Sequence, residues 1–155
     1  MEETQSISNR LLSKIADKKI YINEKKIKYY NLDLLVRIIN RLVSFSDNCE
    51  ECLSFLNSLE PYIDSIEVNA DKQKDKTYHV YLNSIISHLQ LKHKLVTDNY
   101  YTMVCLPLGM VFGSAFSAIG SFKGMSSGGI GIGLCLGVAI GSGMDANAKK
   151  KGSVI

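Results

Sequence analysis

Apolar and polar residues follow two different regimes along this chain. Up to about residue 100 the apolar positions recur at helical spacing among charged ones; beyond it they run nearly unbroken, punctuated by glycine. Ile7, Leu11, Leu12 and Ile15 share one face and predict a helix over residues 5–17, with Ser6 or Ser8 as its cap. Residues 19–30 set β-formers on either side of a polar four-residue centre and predict a short β-hairpin lying against helices. Asn31 and Asp33 open a strongly amphipathic helix through Leu34, Leu35, Ile38, Ile39, Leu42 and Val43. A third helix is expected over residues 48–58, and Pro61 interrupts or restarts the turn that follows. Residues 67–75 are polar and unpatterned, which predicts a mobile loop. A long helix over residues 77–96 follows, with Leu82, Ile85, Ile86 and Leu89 inward.

Beyond that point the pattern changes character. Residues 101–122 and 126–144 carry no charge at all, Lys123 lying between them, and each is long enough to cross a hydrocarbon core of about 30 Å. Glycine recurs at every fourth position in the second (Gly129, Gly133, Gly137, Gly141), and the first repeats the device with Gly109, Gly113, Ser117 and Ser121. In water each helical glycine would cost about 1 kcal/mol relative to alanine. In lipid a ridge of small residues lets another helix backbone approach closely, and that contact drives association. The two segments, linked by polar residues 122–127, therefore predict a transmembrane hairpin, with Tyr100 and Tyr101 at the interface and Pro107 tolerated in the first span. The ridges serve either neighbouring hairpins, in an oligomeric bundle, or one another inside a single chain. Gly120, Gly124, Gly128 and Gly131 add small residues off the main ridge and favour the oligomer.

Charge sharpens this division. Of 18 Lys/Arg and 15 Asp/Glu, only Lys123, Asp145 and Lys149, Lys150 and Lys151 lie beyond residue 100, so the net +3 arises at a membrane flank. The opening residues are acidic and polar, unlike a secretory leader, and the basic tail fits the positive-inside preference. Both termini are thus expected on the cytoplasmic side of the plasma (inner) membrane. The expected organisation is a helical domain over residues 1–98, a hairpin over 99–146 and a basic tail over 147–155.

Two constellations carry candidate chemistry. Cys49 and Cys52, with His88 and His93, match the ligand spacings of a structural zinc site, which would join two helices of a small domain. Against it, residues five apart on a straight helix point about 140° from each other, so both imidazoles reach one ion only if the helix bends there. The simpler alternative makes the cysteines small buried residues and leaves the histidines in polar surroundings; His79 is expected at the surface or at an interface. The second constellation is Lys14, Lys18, Lys19, Lys25, Lys26 and Lys28, interleaved with Tyr21, Tyr29 and Tyr30. It offers an anionic ligand (a nucleotide, a nucleic acid or a lipid head group) a basic surface, or it is simply a solvated face. No phosphate-loop, zinc-protease or nucleophile-elbow motif occurs, and the chain is read as a non-enzyme.

The C-terminal third resembles small bacterial glycine zipper family membrane proteins through Leu106-Pro-Leu-Gly109, the Gly129/Gly133/Gly137/Gly141 ridge, and Asp145 followed by Lys149-Lys-Lys-Gly152. The resemblance spans roughly residues 93–155 and implies architecture more than activity. The plan of a helical domain on a transmembrane hairpin also resembles membrane effectors of bacterial antiphage systems. These readings lead to a mainly α protein, a homo-oligomer in the bilayer whose hairpins form a bundle or channel. The long helix, expected to run into the first span, would let the cytosolic domain gate it. The alternative is a non-conducting anchor that presents a helical, zinc-stapled binding domain.

Overall fold

The computed structural model describes residues 2–66, 72–118 and 128–155 and divides the chain into two units, one ending at His93 and including Ile155, the other running from Lys94 to Val154. Both are helical, as the periodicity predicts, and the described residues contain no strand, only an isolated bridge between Val96 and Val154.

The first unit comprises α1 (Glu2–Tyr21), α2 (Glu24–Tyr29), α3 (Leu32–Phe45), α4 (Glu50–Ser58), α5 (Glu60–Asp64) and α6 (Lys72–His93). Its centre is α3, whose apolar stripe of Leu32, Leu35, Ile38, Ile39 and Leu42 is fully buried. Around it stand Leu11 and Ile15 of α1, Cys52 and Leu56 of α4, Ile63 of α5, and Tyr78, Leu82, Ile85 and Leu89 of α6. Pro61 sits in the first turn of α5, where its missing N–H costs nothing. Ser8 faces inward and caps nothing, because α1 already begins at Glu2.

The β-hairpin expected over residues 19–30 is absent. Helix α1 runs on to Tyr21, leaving Ile20 and Tyr21 exposed on its outer side. The polar centre opens a new helix instead. The Asn23 side chain accepts from the Lys26 N–H at 3.0 Å, an N-cap, and Glu24, Lys25 and Lys26 are strong helix formers. Buried Tyr30 and a left-handed Asn31 (φ 50°) then turn the chain into α3. Of the mobile loop expected over residues 67–75, Lys72 to Asp75 belong to α6 instead, and residues 67–71 lie outside the described residues.

Tyrosines tie α6 to the other helices of this unit. The buried Tyr78 hydroxyl donates to the Tyr30 carbonyl at 2.7 Å, and Tyr81 donates to the Phe55 carbonyl at 3.1 Å while its ring stacks on Tyr62. Burial, with the neighbouring Tyr62 phenol, pushes the Tyr81 hydroxyl up to about 12, and burial raises Tyr78 as well. A phenol held neutral in the folded state binds its proton more tightly there than in the unfolded chain. The stability it confers is complete below the ordinary value near 10 and declines as pH rises toward 12. Melting of the full chain from pH 9 to 12 is expected to show this alkaline decline, and Tyr81→Phe to flatten it. An unchanged pH profile in that variant would exclude Tyr81 as its source.

The second unit holds α7 (Tyr100–Ala118) and α8 (Gly128–Lys150), which pack along each other. The contacts pair Gly109 with Gly133, Gly113 with Gly129, Cys105 with Gly137 and Thr102 with Gly141, so the helices are antiparallel. At each pair a Cβ on the glycine would collide with backbone or with Ser117, which is why these positions hold glycine. At the open end of the hairpin, Asp145 accepts from the Tyr101 and Thr102 N–H groups at 3.0 and 2.9 Å and from the Thr102 hydroxyl at 2.6 Å, capping the first turn of α7. Lys149 pairs with Asp98 alongside.

The segments Tyr100–Ser117 and Gly129–Lys150, 18 and 22 residues, are long and apolar enough to cross a membrane. Their outward side chains are largely uncovered, Met103, Phe112, Phe116, Leu136 and Ile140 among them. A core helix of a water-soluble protein would have these buried, so the unit points to membrane association. The polar link, with Ser121, Gly120, Lys123 and Gly124, lies outside the described residues.

The long helix does not run into the first span. It ends at His93, Lys94 and Asn99 adopt left-handed backbone (φ 55° and 59°), and the Val96 N–H bonds the Ser153 carbonyl at 2.9 Å. Residues 94–99 are a turn-rich connection, and a rigid helical lever from α6 into α7 is not present.

Candidate metal centre

Cys49, Cys52, His88 and His93 converge in the first unit, with one ligand atom from each inside a 4.8 Å cluster. The sequence brings them together by two local devices. Cys49 is the residue before α4, in extended backbone, and Cys52 lies within its first turn, so one helix start delivers both sulfurs to one side. His88 lies one turn and a half before the end of α6, and His93 is its last residue. The 140° divergence expected of a straight helix therefore does not apply. The two rings meet at the end of α6, with centroids 5.3 Å apart.

Three sulfur–nitrogen distances match those around a tetrahedral ion. His88 Nε2 lies 3.4 Å from Cys49 Sγ and 3.4 Å from Cys52 Sγ, and His93 Nε2 lies 3.3 Å from Cys52 Sγ. An ion bound at ordinary Zn–S and Zn–N lengths, with tetrahedral angles, separates sulfur from nitrogen by about 3.5 Å. Two thiolates and two imidazoles are also the donor set that suits zinc over hard, oxygen-seeking cations. The four residues thus lie close enough to bind a metal ion. With four protein ligands no position is left open for substrate, which is the pattern of structural sites.

The surroundings are dry on one side and carry a carboxylate on the other. Cys52 is fully buried and the His88 side chain is 8% exposed. Burial, reinforced by the Cys49 thiol, pushes the Cys52 thiol up to about 12. Burial, and then the neighbouring His88, lowers His93. Such surroundings favour neutral side chains until a cation supplies compensating charge. The rings are held in place by packing: His93 stacks on Phe45 with centroids 4.0 Å apart, and His88 tilts against Phe55 at 5.4 Å. His88 Nδ1 meets Glu51 Oε2 at 2.7 Å. Glu51 was not singled out by sequence reasoning, although it sits between the two cysteines. Asp145 stands out in sequence as a lone acid on an apolar helix, but its capping of α7 does not follow from that.

The basic constellation is divided. Lys14 bonds Asp64 and Glu60, and these two carboxylates raise its affinity for the proton. Lys18 donates to the Asp64 and Ile66 carbonyls, and Lys19 to Asp33 at 2.6 Å. Those three lysines fasten α1 to its neighbours, whereas Lys25, Lys26 and Lys28 stand on α2 with Lys25 and Lys28 exposed. His79 is not a simple surface residue. It is partly buried among Tyr29, Tyr30 and Tyr78, and its Nε2 is buried without a hydrogen-bond partner.

Comparison of the chain with protein-family models, with curated proteins and with solved structures finds no match.

Proposed function

We propose that this chain is a non-enzymatic membrane anchor that presents a zinc-stapled helical binding module. The observation that carries the reading is the face-to-face engagement of the two glycine ridges. Gly109, Gly113, Gly129, Gly133, Gly137 and Gly141 all make their close approaches inside one hairpin. A hairpin that satisfies its own ridges needs no neighbour to be stable in lipid. Zinc is the resident ion in this reading, held by Cys49, Cys52, His88 and His93, and its work is to hold α4 against the end of α6. Two spans return the chain to its starting side, and Lys149, Lys150 and Lys151 favour the cytoplasmic face of the plasma (inner) membrane for both termini.

A second reading, a homo-oligomeric bundle or channel of the kind used by defence effectors, is favoured by one feature of the hairpin. An apolar groove of about 610 Å³ runs down one of its sides, lined by Cys105, Phe112, Phe116, Leu136 and Ile140. A second hairpin seated there would cover side chains that are now bare, and a pore lined this way would close by dewetting. The native mass of the protein in nanodiscs, with metal content from the same sample and conductance after reconstitution, separates the two. The anchor predicts one chain per disc, one zinc per chain and no conductance. A discrete ring of four or more chains that conducts would overturn it in favour of the channel.

A further inference from the structure

We infer that Glu51 is a positioning residue of the metal centre: it fixes the His88 ring so that Nε2, and not Nδ1, is the ligand atom. The inference rests on the zinc reading given above and extends it to a residue outside the four ligands.

Neutral imidazole carries a proton on one nitrogen and a lone pair on the other. His88 Nδ1 lies 2.7 Å from Glu51 Oε2, and a carboxylate there can only accept, so Nδ1 carries the proton and donates it. Nε2 is then left with its lone pair, at 3.4 Å from each cysteine sulfur and inside the ligand cluster. A carboxylate behind a ligating histidine does two things. It selects the tautomer and orientation before the ion arrives, and it raises the donor strength of the opposite nitrogen.

The alternative is a surface ion pair between Glu51 and a protonated His88. Two observations weigh against it. The His88 side chain is only 8% exposed, so the contact is not a surface pair, and a protonated ring would direct its second N–H at two sulfurs, which are weak acceptors, in place of a lone pair aimed into the ligand cluster. Glu51 itself is 61% exposed, so as an isolated pair it would contribute little; its effect comes through the ring it holds. The placement is also economical in sequence. One turn, Cys49-Glu50-Glu51-Cys52, supplies both sulfurs and the support for an imidazole 37 residues on. His93 has a different support, the face of Phe45, so the two imidazoles are held by unlike means.

The test uses the full chain in nanodiscs. Zinc affinity is measured by competition with a chelating dye for the wild type, Glu51→Gln, Glu51→Ala and Glu50→Gln, and the metal-free melting temperature is recorded for each. Glu51→Gln and Glu51→Ala are expected to bind zinc about 10- to 100-fold more weakly. Glu50→Gln is expected to match the wild type, and the metal-free melting temperatures to agree within error. A glutamate that merely stabilised α4 would lower the metal-free melting temperature and leave affinity in place, and that result would overturn the inference. So would Glu51 variants that bind as tightly as a zinc-binding wild type. A wild type that binds no zinc would instead overturn the metal reading, and this inference with it.

Discussion

Chelation of the proposed zinc is expected to lower the melting temperature of the helical unit by roughly 15–30 °C. An ion at a thousand times its dissociation constant that binds only the folded state contributes about 4 kcal/mol. For a unit of this size each kcal/mol corresponds to about 4–8 °C. The effect is large because the staple is long-range: it ties the start of α4 to the end of α6, across sequence separations of 36, 39 and 41 residues. Without it, the last turn of α6 is held by Leu89 and by the stacking of His93 on Phe45. Cys52→Ser removes one thiolate with little change of volume, and His88→Ala removes a ligand with its support from Glu51. Both variants are expected to melt near the chelated wild type and to be insensitive to chelator. The measurement is a thermal scan of the full chain, with and without chelator, followed by zinc add-back. A transition that neither chelator nor Cys52→Ser moves would sink the staple.

The mainly helical class was legible because α3 carries an unusually clear stripe, and because a glycine-spaced apolar run has few alternatives to a membrane helix. What misled was local chemistry with two uses. Residues 19–30 contain β-formers around a polar centre, but Asn23 is as good an N-cap as a turn residue, and the N-cap prevails because Ile22 and Tyr30 on either side of α2 are buried. The approach of His88 to His93 was discounted on a straight helix. No residue type announces that Lys94 takes a left-handed conformation, so the end of α6 at His93 was invisible. Lys94 and Asn99 interrupt the continuous helix expected from α6 into the first span. The clearest omission is Glu51. Ligand spacing draws the eye to cysteine and histidine, whereas the group that orients a ligand is set by a hydrogen bond that exists only in three dimensions.

Gly133→Leu and Gly137→Leu are expected to destabilise the hairpin strongly, while Gly131→Leu leaves it intact. The contrast follows from what each position faces. A side chain on Gly133 would run into the Gly109 carbonyl oxygen and the Gly113 backbone, and one on Gly137 into the Cys105 carbonyl oxygen. Backbone cannot step aside by changing rotamer, so relief requires α7 and α8 to separate, at a cost toward or above the upper end of the ~1–3 kcal/mol typical of overpacking. Separation would also draw Tyr101 and Thr102 away from Asp145, because Gly141 packs against Thr102 at the same end. Gly131 meets nothing within 4 Å, and leucine there gains helix propensity of roughly 1 kcal/mol. Unfolding in an SDS titration, followed by helicity, orders the variants. Gly133→Leu and Gly137→Leu should unfold at much lower detergent fraction than the wild type, and Gly131→Leu at the same fraction or higher. The native mass of the same samples adds a second axis. If the hairpin is a self-contained anchor, every variant remains a single chain and only its stability changes. If neighbouring hairpins meet on the open face, Gly131→Leu alters the assembly while sparing the fold. Equal behaviour of Gly131→Leu and Gly133→Leu in the titration would refute the ridge-to-ridge packing on which the anchor reading depends.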